Sequence, residues 1–243
     1  MSKFVMKYIQ CILPRLILAL LLCLSGSLAF AYPIDGYDYT GIKRLEFYRL
    51  AMLDQNGGRK QPPGGLLTLE QVKPNWNSSN GSTLPDRDTA LEKKLSRILR
   101  NERQSSYGVA LLDLSDPGNP RYAMHNPNYQ ANAGSVGKIM VALAIFQTLA
   151  DIYPDDIASR ERVLRDTVIT ADNFIQWDHH EVPLYDPETA KFEHRRLKHG
   201  DQGNLWEYLD WMMSASSNAA AGTVQKHLIL LAHFTDRYPV SAE

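Results

Sequence analysis

The hydrophobic patterning of this chain predicts an α+β fold: one N-terminal hairpin followed by a mostly helical remainder. Two runs of strand-forming residues, Tyr107–Leu114 and Arg121–His125, flank the turn-forming Asp116-Pro117-Gly118-Asn119. Three apolar helical patterns follow, at Val136–Ala150, Leu205–Met213 and Ala219–Phe234. A hydrophobic content of 44% and a charged content of 22% suit a globular chain with an ordinary core.

Before the hairpin, the N-terminus sets an expectation about compartment. Lys3, Lys7 and Arg15 precede the aliphatic run Leu16–Leu24, and Ala29-Phe30-Ala31 has the small-x-small form of a cleavage site. Residues 1–31 therefore read as a secretory signal. The apolar run is too short for a comfortable span of about 20 residues, with an uncleaved N-terminal anchor as the alternative. The expected location is outside the cytoplasm, in the periplasm. Both cysteines, Cys11 and Cys23, lie within the signal, so the remaining chain has neither a disulfide nor a thiolate nucleophile. A net charge of −1 suggests neither a nucleic-acid partner nor a strongly anionic surface.

Residues 32–86 read as an extension and linker. A short helical pattern runs through Ile42, Leu45, Tyr48, Leu50 and Leu53, and Gly57-Gly58, Pro62-Pro63 and Gly64-Gly65 break it. Asp86–Arg103 predicts a charged helix with Leu91, Leu95, Ile98 and Leu99 as its stripe, capped by Asp86 or Asp88. Val163–Thr170 reads as a short strand or extended segment, and 171–204 as polar and irregular with a possible helix at its end. In Leu205–Met213, residues Trp206, Leu209, Met212 and Met213 are expected to face inward.

Two constellations could carry chemistry. Ser135-Val136-Gly137-Lys138 stands where an irregular stretch enters the apolar helix, and positions i and i+3 of a helix share a face. A serine hydroxyl needs a base to act as a nucleophile. A desolvated lysine has the lowered proton affinity to serve as one. The bland alternative is a serine cap followed by a surface lysine. Ser216-Ser217-Asn218 separates the last two helices. A hydroxyl there could relay a proton and the amide could hold a substrate carbonyl, although Ser and Asn are also ordinary helix caps.

Taken in order, Asn132-Ala133-Gly134-Ser135-Val136-Gly137-Lys138 and Met213-Ser214-Ala215-Ser216-Ser217-Asn218-Ala219 resemble the nucleophile motif and the Ser-x-Asn loop of the serine beta-lactamase and penicillin-binding-protein family, class A enzymes in particular. The resemblance covers about residues 87–235. It implies an incomplete beta-lactamase/transpeptidase-like domain over 87–243. Ser135 would be the acylated nucleophile, Lys138 its base, Ser216 the relay to the leaving nitrogen and Asn218 the ligand of the substrate amide. The substrate would be a small-molecule beta-lactam or a peptidoglycan-type amide, with no metal or organic cofactor. The family's Lys-Thr/Ser-Gly strand has no match after Asn218, and Lys198-His199-Gly200 precedes the loop. That departure leads to the expectation of a C-terminally truncated, impaired enzyme, with a non-catalytic periplasmic binding or scaffold domain as the alternative.

Three other readings are set aside. Asp178-His179-His180-Glu181, with His194 and His199, contains metal-ligating residue types, but adjacent histidines on a strand point to opposite faces. Gly134–Ile139 lacks the first glycine and the hydroxyl of a phosphate loop. Ala133–Gly137 lacks the first glycine of a nucleophile elbow.

Overall fold

The computed structural model describes residues 33–60, 67–71, 83–101, 106–116, 118–175 and 177–239. The expected signal, residues 1–31, lies outside them, as does most of the linker at 74–86. The chain divides into two compact units, Met1–Lys73 with Lys138–Glu243, and Pro74–Gly137. Of the 32–86 extension, the described residues 33–60 and 67–71 belong to the larger unit, and 83–86 lie in the smaller one with the hairpin.

In the smaller unit, α1 (Thr89–Ile98) lies against the hairpin of β1 (Val109–Asp113) and β2 (Arg121–His125), which pair antiparallel with Leu111 opposite Ala123. Asp88 caps α1 by accepting from the Leu91 amide at 2.9 Å, and its other oxygen accepts from Arg121 of β2 at 2.7 Å. The Arg121 bond first, then the Leu91 amide, lowers the Asp88 pKa to about 2. The predicted hairpin and helix are present here: β2 has the expected bounds, and β1 and α1 are shorter than expected.

The larger unit contains α2 (Gly36–Thr40), α3 (Lys43–Met52), α4 (Lys138–Ile152), α5 (Ile157–Asp166), β3 (Val168–Thr170), β4 (Val182–Asp186), β5 (Lys191–Arg195), β6 (Gln202–Asn204), α6 (Leu205–Ser214) and α7 (Asn218–Phe234). Its core is built from α4, α6 and α7, where Ile145, Leu149, Leu205, Tyr208, Met212, Val224 and Leu231 are fully buried. The fold is α+β, but the expectation of a single hairpin requires correction. Strands β4 and β5 form a second antiparallel pair, and β3 and β6 a third. The segment 171–204, read as irregular with a possible helix at its end, contains three of these strands, and its end is strand β6 rather than a helix. Pro183 and the charged β5 sequence obscure the pattern. The hairpin is held from outside, by Phe47 of α3 stacked on Phe192 at 4.1 Å and tilted against Tyr185 at 5.5 Å.

Three further expectations need adjustment. Half of Val163–Thr170, up to Asp166, completes helix α5, whose N-terminus is capped by Asp156 accepting from the Ser159 amide at 2.9 Å, while Val168–Thr170 is the expected short strand, β3. Met213 is 46% exposed rather than inward. Helix α4 is not buried all round: Ile139, Met140, Leu143 and Phe146 are exposed, whereas Ala142, Ile145 and Leu149 enter the core. The stretch Gly134–Ile152 is long and apolar enough to cross a membrane by length and composition.

Asn204 ties the extension to the core. Its Oδ1 accepts from the Glu207 amide and its Nδ2 donates to the carbonyls of Thr40 and Arg165 at 2.8 and 2.9 Å. Glu207 completes a capping box and accepts from the backbone and ammonium of Lys43. Gly41 makes this approach possible: its φ is +67°, and a Cβ there would lie 2.7 Å from Asn204 Nδ2.

At the far end of α7, His227 Nδ1 and the Tyr238 hydroxyl lie 2.7 Å apart. Burial, reinforced by the Lys226 charge, lowers the His227 pKa from 6.5 to about 4. The fold therefore favours the neutral ring. The resulting stability is present above the unfolded-state pKa and is lost as pH falls from about 6.5 through about 4. The loss is expected to reach about 3 kcal/mol. Urea titrations across that window should show it, and His227→Asn should flatten the dependence.

Candidate functional site

The site in the larger unit is organised by the turn between α6 and α7. Ser216 has a φ of +57°, the left-handed region that a residue with a side chain seldom adopts. The turn is closed by the Ser217 amide, which donates to the Trp211 carbonyl at 3.1 Å. Ser217 is the N-cap of α7, accepting from the Ala220 amide at 3.1 Å. The positive φ swings the Ser216 carbonyl and hydroxyl to the side where Lys138 opens α4.

Lys138 is only 9% exposed. Its Nζ donates to the Ser216 carbonyl at 2.5 Å, to Ser216 Oγ at 3.1 Å and to Asn218 Oδ1 at 2.8 Å. Desolvation lowers its pKa from the ordinary lysine value, and the negative charge of Asp178 partly opposes this. Around it, Ser216 is half-buried and Asn218 exposed. A buried amine thus sits beneath a hydroxyl and an amide that solvent can reach.

Asp178 is the residue that sequence reasoning did not assign to this site. It is buried, and its carboxylate takes four hydrogen bonds. Oδ2 accepts from Ser217 Oγ at 2.8 Å and the Ala219 amide at 3.0 Å. Oδ1 accepts from the His180 amide at 3.1 Å and meets His180 Nδ1 at 2.6 Å. Burial alone would raise its pKa, but the bonds from the Ala219 and His180 amides, His180 and Ser217 outweigh it and hold the carboxyl well below the usual range. No sequence signal links position 178 to a turn about 40 residues further on; the contact exists only because the loop before β4 folds over the start of α7.

The structure brings Lys138, Ser216 and Asn218 together. Ser135 belongs to the other compact unit, three positions before Lys138 in the chain, on the exposed 3₁₀ turn Gly134–Gly137. That turn is prepared by Asn132, whose Oδ1 accepts from the Gly134 amide at 2.9 Å, and by a φ of +53° at Gly134. Lys198-His199-Gly200 is a turn, with the Gly200 amide bonded to the Ala171 carbonyl.

Among the described residues, Asp178, His179 and His180 are the one group whose ligand atoms lie close enough for a metal ion, within 4.8 Å of one another. The expectation that these histidines diverge is wrong in its premise. They lie outside the strands and their rings approach to 4.0 Å. Glu181, His194 and His199 do not join them. Both Asp178 oxygens, however, are already engaged by two donors each, so the carboxylate serves the α7 turn rather than an open coordination position. No protein-family model, curated protein or solved structure matches this chain.

Proposed function

We propose that this chain is an exported serine hydrolase that acts by acyl transfer on a beta-lactam or peptidoglycan-type amide. The observation that carries the reading is the buried Lys138 ammonium bonded to both Ser216 and Asn218. Two motifs 78 to 80 positions apart meet at one nitrogen, which helix capping alone does not require. Export rests on the sequence of residues 1–31.

In this reading Lys138, once neutral, takes the proton of Ser135 Oγ as that oxygen attacks the amide carbon. The C–N bond then breaks, and Ser216 Oγ delivers a proton to the leaving nitrogen while Lys138 restores it. Asn218 binds the substrate amide. Water later hydrolyses the ester on Ser135. Desolvation of Lys138 supports its role, because an amine of lowered pKa is neutral in a larger fraction of molecules near neutrality.

Incubation with a fluorescent penicillin, followed by intact-mass measurement, tests the reading. One covalent adduct per chain is expected, mapped to Ser135 and absent in Ser135→Ala. Unmodified wild-type protein after prolonged exposure rejects it. The exposed apolar side chains of Ile139, Met140, Leu143 and Phe146 favour one alternative, a non-catalytic binding domain. A thermal shift with muropeptides that survives Ser135→Ala, without any adduct, would select it.

A further inference from the structure

The four hydrogen bonds of Asp178 exceed what a helix cap needs. Ser217 already caps α7 through the Ala220 amide. Asp178 adds a second acceptor at the Ala219 amide and grips the Ser217 hydroxyl from behind. Ser217 is thereby locked between a residue that bonds Lys138 and another that does the same. Asp178 is also a buried negative charge whose field reaches the Lys138 ammonium.

We propose that Asp178 is a positioning residue of the acyl-transfer site: it holds the Ser216–Asn218 turn in register and sets how readily Lys138 gives up its proton. The inference rests on the function proposed above. The two effects have one cause, since the carboxylate that orders the turn is also an anion whose charge acts on the amine. Ser216 and Asn218 contact the amine directly but carry no charge. The other titratable groups at Asp178 are His180, bonded to it, and His179, whose ring lies on that of His180.

The sign follows from electrostatics. A nearby anion favours the protonated amine, so removing it must lower the proton affinity of Lys138. Asp178→Asn keeps the shape and removes the charge. Competitive acetylation of Lys138 with acetic anhydride, followed by mass spectrometry across about pH 6 to 11, reads the amine without requiring Ser135 to react. The midpoint for Lys138 is expected to fall by roughly half a pH unit or more in Asp178→Asn. Ser135 acylation by fluorescent penicillin is expected to slow at its optimum, with its low-pH limb displaced in the same direction.

Ser217→Ala is the control. It removes one donor and the cap but leaves the carboxylate charged. It is expected to slow acylation while leaving the Lys138 midpoint within about 0.2 pH units of wild type. An unchanged midpoint in Asp178→Asn overturns the proposal. So does an equal fall in Ser217→Ala, which would assign the effect to collapse of the turn. Where Asp178→Asn does not fold, Asp178→Glu decides: it keeps the charge but displaces the bonds to the turn, so slowed acylation with a Lys138 midpoint near wild type supports the proposal and wild-type acylation overturns it. Failure of the hydrolase reading would look different: wild-type Ser135 would take no label, whatever the Lys138 midpoint did.

Discussion

Arg44→Ala is expected to destabilise the larger unit by about 3–5 kcal/mol, the largest stability loss anticipated for a single substitution in the described chain. Arg44 Nε and Nη2 donate to the two carboxylate oxygens of Asp210, each at 2.5 Å. The side chains are only 5% and 9% exposed. The guanidinium also lies over the Tyr48 ring at 5.7 Å from its centroid. Removing the arginine leaves Asp210 as a buried carboxylate without its fork of donors, and that uncompensated charge dominates the cost. Denaturant unfolding should show a lower midpoint. Arg44→Met with Asp210→Leu, which removes both charges, is expected to cost much less than either single truncation to alanine. Equal losses in the double and single variants would mean that packing dominates.

Lys138→Met is expected to lower the rate of Ser135 acylation by about 10²- to 10⁴-fold, the range for loss of a general base. Methionine keeps the apolar stem in the core and removes the amine. The Ser216 carbonyl and Asn218 Oδ1 then lose their common donor, so a stability loss of about 1–3 kcal/mol should accompany the change. The two readouts separate the roles. Pre-steady-state labelling reports the base, and denaturant unfolding reports the lost hydrogen bonds. An unaltered labelling rate with lowered stability would leave Lys138 as a structural clamp.

Much of the site was legible because its signals are local. A serine and a lysine three apart at a helix start, and Ser-Ser-Asn between two helices, can be read without knowing where the chain folds. The lysine position was marked by the apolar run after it, which places Lys138 on a helix with a buried face. Asp178 was not legible for the same reason in reverse. Its adjacent histidines advertise metal chemistry, and two of its four partners are backbone amides, which no residue pattern records.

The sequence alone determined the α+β class, the first hairpin and the long helices, since each depends on periodic burial and turn chemistry within about 20 residues. Tertiary structure decided the rest. Strands β4 and β5 form around Pro183 because Phe47, more than a hundred residues away, covers them. The N-terminal extension joins the core because Asn204, Glu207 and Asp210 supply partners that its own sequence lacks. A buried polar group is stable only when satisfied, and the choice of partner belongs to the folded chain.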